Sequence, residues 1–110
     1  MIQETIAEIE ARIQKADSVN DDNKVELIRL LTTLKSEIAE FSRTHGDQAQ
    51  SIAGFTQVSA HEATREQRNP HLLELSTEAL ASSVAEFETS HPKLVQTVNA
   101  ICTTLSNLGI

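Results

Sequence analysis

The sequence predicts an all-α protein: an N-terminal antiparallel helical hairpin followed by two or three further helices, packed as a bundle or in coiled-coil fashion. Two observations carry this. Apolar residues recur in steps of three and four in several separate segments, the spacing of one helix face. Gly and Pro total five in 110 residues, and there are three Phe but no Trp or Tyr. Residues that favour strands and residues that close hairpins are therefore both scarce. The length suits one domain with a small core. Within this single domain, 1–110, residues 1–45 form the hairpin, 46–68 are a helix or a linker, and 69–110 are two helices joined at His91-Pro92.

The first helix runs from Ile2 to about Ala16, with Ile2, Ile6, Ile9, Ile13 and Ala16 stepping four, three, four, three. Glu8 and Arg12 are spaced to pair on its outer side, worth ~0.3 kcal/mol. Asp17 to Asp21 breaks the pattern. Asn20 is the expected N-cap of the second helix, with Asp21 and Asp22 in its first turn, where negative charge suits the helix dipole. Ser18 with Asp21 is a capping-box-like alternative. Its seam is Leu27, Leu31, Leu34, Ile38 and Phe41, broadened by Val25, Ile28 and Leu30, so it should meet more than one neighbour. Gly46, after His45, reads as its stop.

Asp47 to Gln67 mixes apolar Ile52, Phe55 and Val58 with small Ala49, Ala53, Ala60 and Ala63. Gly54 costs about 1 kcal/mol against Ala inside a helix, so a linker stands beside the helical reading. Asn69-Pro70 is a start signal: Asn caps, and Pro takes the first helical position. The helix it opens runs to about Thr89, with Leu73, Leu80, Val84 and Phe87 on one side and Leu72, Leu75 and Ala79 adjacent. Pro92 biases His91 away from helical torsions and sets a boundary there. No tandem repeat is visible.

The last segment has the sharpest periodicity. Leu94, Val98, Ile101, Leu105 and Leu108 form a heptad-like seam, and no charged residue occurs from Leu94 to Ile110. Its other face carries Gln96, Thr97, Asn99, Thr103, Thr104, Ser106 and Asn107. A face turned to water usually carries Lys and Glu, so this one is expected to be covered. The interaction face is accordingly placed on Leu94, Val98, Ile101, Leu105, Leu108 and Thr104. Gly109 is expected to close the helix in a left-handed conformation, folding Ile110 onto Leu105.

The ending Phe87-Glu88-x-x-His91-Pro92, Leu94, Leu105-x-x-Leu108-Gly109-Ile110 resembles a family of short bacterial helical proteins classed as a domain of unknown function. The resemblance is strongest over Phe87–Ile110 and looser over the first 43 residues. It treats Ser51–Phe55 and His61–Arg65 as an insert of longer members. It implies the helical fold and no chemistry.

The formal net charge is −7. Neither half is basic, and aromatic platforms are few, so nucleic acid is not an expected partner. Met1-Ile2-Gln3-Glu4 lacks a positive start and apolar core, so no secretory signal is expected. Leu94–Ile110 is too short and polar to span a bilayer. A single Cys allows no intrachain disulfide and suits a reducing cytoplasm.

Glu88-x-x-His91 has the spacing of one half of a di-iron site, but only one such pair occurs. His61-Glu62-Ala63-Thr64-Arg65 begins like a zinc-protease motif, with Arg65 in place of the second His. The simpler reading there is a surface pair of Glu62 with Arg65. His71, Glu74 and Glu78 line one side of a helix, where surface hydrogen bonding is the simpler role. Cys102 reads as a small buried hydrophobe. No catalytic, metal or cofactor residue is assigned. The expected function is that of a non-enzymatic structural or interaction protein, self-associating through helix packing. A peripheral membrane protein and a metal-binding bundle are the alternatives.

Overall fold

The computed structural model describes residues 2–108 as five α-helices: α1 Ile2–Lys15, α2 Asp21–Phe41, α3 Gly46–Thr64, α4 Pro70–Val84 and α5 Pro92–Leu108. One turn of 3-10 helix, Ala85–Phe87, follows α4, and no strand occurs among the described residues. α1 packs on α2 and α3, α2 on α5, α5 on α4, and α4 on α3, so the helices close a ring. The radius of gyration is 12.8 Å, against about 13 Å for a globule of this length. The seams therefore converge inside one molecule and do not run out along an extended coiled coil.

The core contains Ile6, Ile9 and Ile13 of α1, Leu27, Leu31, Leu34 and Ile38 of α2, Leu73, Leu80 and Val84 of α4, and the α5 seam. Two ion pairs tie neighbours across their rims: Lys35 to Glu10 at 2.8 Å, α2 to α1, and Lys93 to Glu37 at 3.3 Å, α5 to α2. The second helix does meet two neighbours, but Val25 broadens nothing: it is 70% exposed. Arg12 does not turn to Glu8 but reaches the Nδ1 of His61 on α3, at 3.3 Å.

The helix starts follow the capping signals. Asn20 Oδ1 accepts the Asn23 N–H at 2.8 Å, and Asn69 Oδ1 accepts from His71 and Leu72 at 3.0 and 3.2 Å with Pro70 at the first turn. The ends do not follow as well. Gly46 is the first residue of α3, not the stop of α2, and no described glycine has a positive φ. α2 ends instead through backbone turns, Ser42 N–H to Ile38 C=O and His45 N–H to Phe41 C=O. α4 stops at Val84, short of the expected Thr89, because the chain tightens into the 3-10 turn and His91 N–H returns to Phe87 C=O at 2.7 Å. Gly109 and Ile110, the expected C-terminal cap, lie outside the described residues.

Residues 46–64 are a docked helix, which settles the choice between helix and linker. Its buried face is mostly small: Ala49, Ala53, Thr56, Ser59, Ala60 and Ala63, with Ile52 alone supplying bulk. Small residues let two helix backbones approach closely, so contact is gained without a conventional apolar seam. That is why its periodicity is faint in the sequence.

A repeat does exist, contrary to expectation. Leu34–His45 and Leu80–His91 share Leu-x-Ser-x-x-Ala-Glu-Phe-x-x-x-His, with Ile38 against Val84 and Thr44 against Ser90. Each copy ends one helix and opens the next. Exchanging α2 with α4 and α3 with α5 turns the α2–α5 packing into the α4–α3 packing, both of which occur. The approximate symmetry is broken by α1, which lies against both α2 and α3, while α4 and α5 pack directly.

Candidate interaction surface

The two repeat copies meet at one end of the bundle. Phe41 and Phe87 stand edge to face with centroids 4.8 Å apart, His45 stacks on Phe41 at 4.6 Å, and His91 stands edge-on to Phe41 at 5.0 Å. Each ring nitrogen Nδ1 has a hydroxyl neighbour, Thr44 Oγ1 at 2.7 Å from His45 and Ser90 Oγ at 3.0 Å from His91. Phe41 and Phe87 are buried. Aromatic pairs in such geometry contribute about 0.5–1.5 kcal/mol each beyond their area. His91 therefore locks a joint. Its carbonyl also accepts the Val95 N–H at 3.2 Å, opening α5. Glu88 beside it is exposed. Among the described residues, no three His, Cys, Asp or Glu side chains are grouped as a metal site.

The other candidates are scattered. Glu62 pairs with Arg65 at 3.1 Å, at the end of α3. His71, Glu74 and Glu78 lie exposed on α4. Cys102 is half-buried, its Sγ 3.5 Å from the Thr77 carbonyl, and burial pushes its thiol up to about 11. A thiol held protonated in this way is a poor nucleophile.

The residues expected to form the interaction face are spent on the chain's own core. Leu94, Val98, Ile101, Leu105 and Leu108 are all buried against α2 and α4, and Thr104 is half-buried with its hydroxyl donating to the Ala100 carbonyl at 2.9 Å. Thr97 is buried too, while Gln96, Asn99, Thr103, Ser106 and Asn107 are exposed. A free seam on α5 is thus corrected: what α5 offers outward is polar and uncharged.

The exposed apolar surface lies elsewhere. Phe55 and Val58 of α3 and Leu72 and Leu75 of α4 are 38%, 48%, 40% and 47% exposed, and with Glu62, Ser76 and Ala79 they line one shallow groove of about 250 Å³. By side-chain size these four fractions leave on the order of 300 Å² of apolar surface in water, the range of functional patches on monomers. The groove is open and smaller than most small-molecule pockets. A larger cleft of about 510 Å³ between α1 and α3 is lined by Glu8, Arg12, Lys15 and Gln57 among others, with no apolar cluster of this kind.

The signal for the groove was present in the sequence but unread. The buried face of α3 is complete without Phe55 and Val58, and that of α4 without Leu72 and Leu75. Apolar residues beyond one face's needs are surplus.

Charge is distributed unevenly along the chain. α1, α2 and their loop carry 14 charged residues between Ile2 and Phe41, whereas α3 has none from Gln48 to His61 and α5 none from Leu94 to Leu108. Among the described residues, no helix is long and apolar enough to cross a membrane. The groove does not share this poverty of charge: Glu62 lines it, and Glu74 and Glu78 stand exposed on α4, one of its two walls.

No curated protein and no solved structure matches the chain. A family model described as a domain of unknown function, DUF4404, matches residues 27–110, from the second turn of α2 through α5 and including the stretch read as an insert. The chain, all-helical over its described residues, belongs to the DUF4404 family, a domain of unknown function.

Proposed function

We propose that the protein is a non-enzymatic structural or interaction protein, working in the cytoplasm, that acts by packing helices against helices and associates with itself. The observation that carries the reading is the α3–α4 groove: four large apolar side chains, Phe55, Val58, Leu72 and Leu75, gathered in one groove on the surface of an acidic molecule. Such clustering costs solubility, and an exposed patch of this size is a common mark of a docking surface. The half-buried, protonated thiol of Cys102 suits a reducing compartment. Size exclusion coupled to light scattering tests the reading. The expected result is a mass above the 12.1 kDa of one chain, rising with concentration. A mass fixed at one chain across the accessible range refutes self-association.

A further inference from the structure

We propose that His45 and His91, one from each copy of the internal repeat, form a two-imidazole site for a divalent transition-metal ion of the Zn²⁺ type. The site is independent of the self-association reading and goes beyond it.

The repeat supplies the first ground. Both copies end in a hydroxyl residue followed by His: Thr44-His45 and Ser90-His91. The burial of Phe41 and Phe87 explains why each copy carries Phe. It does not explain the His. Packing beside those rings asks only for a flat or apolar side chain, and the His45 side chain makes no capping hydrogen bond to α3. What both copies supply beyond packing is a pair of ring nitrogens.

The nitrogens are disposed for a metal. In each ring Nδ1 is taken by the preceding hydroxyl, at 2.7 Å in His45 and 3.0 Å in His91. A hydroxyl that accepts the Nδ1–H leaves Nε2 with a free lone pair, the way neighbouring groups fix the tautomer of a ligating His. Neither Nε2 has a hydrogen-bond partner among the described residues, and neither is sealed from water. The two rings stand with centroids 5.4 Å apart. Two imidazoles bound through Nε2 to one tetrahedral Zn²⁺, with Zn–N of about 2.0–2.1 Å, place their centroids about 5.2 Å apart. The separation is that of two ligands on one ion.

Charge chooses a cation over an anion. α3 and α5 both begin at this pair, and helix N-termini favour anions. Within eight positions of the two histidines, however, stand Glu37, Glu40, Asp47, Glu86 and Glu88, against Arg43 and Lys93. Both cations are already paired, Arg43 with Glu40 and Lys93 with Glu37. The excess at this end of the bundle is negative. Imidazole nitrogen suits Zn²⁺, Ni²⁺ or Cu²⁺, whereas Mg²⁺ and Ca²⁺ take oxygen. Two protein ligands leave the remaining positions to water, so the site is of the open kind.

Calorimetric titration of the tag-free full chain with Zn²⁺ at pH 8 tests this, beside NMR spectra of the imidazole rings. One Zn²⁺ per chain should bind, with the ring signals of His45 and His91 shifting together and those of His61 and His71 unmoved. His45→Phe and His91→Phe, which keep an aromatic ring in the joint, should each weaken binding about tenfold or more at unchanged helix content, whereas His71→Phe should not. Should either variant lose its helices, the wild-type ring signals decide alone. No saturable binding up to millimolar Zn²⁺ overturns the proposal, as does binding that persists in both variants or that shifts His61 or His71 instead. Inorganic phosphate that moves the two ring signals where Zn²⁺ does not identifies an anion site at the helix starts and also overturns it.

Discussion

Replacing Phe41 by Ala tests the joint at which the two repeat copies meet. Phe41 is 2% exposed and touches the rings of His45, Phe87 and His91. Truncating a buried Phe to Ala costs about 3–5 kcal/mol through lost transfer energy and the cavity left behind. The site cannot collapse easily, because its neighbours are flat rings held by their own turns, so the upper half of that range applies, about 4 kcal/mol. A domain of this length has roughly 5–16 kcal/mol of stability, so the variant should stay folded but lose a large share of it. With an unfolding entropy of about 2.1 cal/mol/K per residue, the melting temperature should drop by about 17 °C. Urea titration followed by circular dichroism measures the loss, and an unchanged slope would show that the folded state keeps its compactness. Phe41→Leu, which keeps most of the volume but removes the ring geometry, should cost about 1–1.5 kcal/mol. Because Phe41 and Phe87 touch, Phe41→Ala and Phe87→Ala should not add: the double variant should lose less than the sum by at least about 0.5 kcal/mol. A loss under 1 kcal/mol for Phe41→Ala, or strict additivity, would refute the four-ring joint.

Three further outcomes follow from local geometry. A Cβ placed on Gly54 meets nothing within 4 Å, so Gly54→Ala should stabilise α3 by about 0.5–1 kcal/mol, and a thermal melt showing a loss would mean the position is not free. The buried Ser59 hydroxyl finds no hydrogen-bond partner among the described residues; removing it by Ser59→Ala should raise stability by about 1 kcal/mol, which urea unfolding would contradict if the variant proved weaker. Burial raises the Cys102 thiol from 9.0 to about 11. At pH 8 the folded protein should therefore react with a thiol reagent about 100-fold more slowly than the urea-unfolded chain, whose thiolate fraction is larger by the two-unit difference. The linkage has a definite sign. The folded state holds this proton more tightly than the unfolded state, so its contribution is complete below pH 9 and declines as pH rises from 9 toward 11, a slope that Cys102→Ala should abolish.

The sequence by itself determined the class and where most of the helices begin, but not whether they number four or five. These depend on local chemistry: Asn20 and Asn69 satisfy nearby N–H groups, Pro70 and Pro92 fit first-turn positions, and an apolar seam betrays a helix face. None of these signals says what a face packs against. The α5 seam reads equally well as an interface between copies or as core, and only the closure of five helices into a ring assigned Leu94 to Leu108 to the chain's own interior. Periodicity also left α3 open between helix and linker, because a helix that packs through Ala and Ser gains its contact from backbone approach, which leaves little apolar pattern. The Phe41–His45 and Phe87–His91 joint lies 46 residues apart in the chain, and its meaning required the two copies to be brought together. The groove was likewise decided by tertiary structure. Phe55, Val58, Leu72 and Leu75 look like core residues one by one, and they are left in water because Ile52, Leu73, Leu80 and their neighbours already fill the space inside.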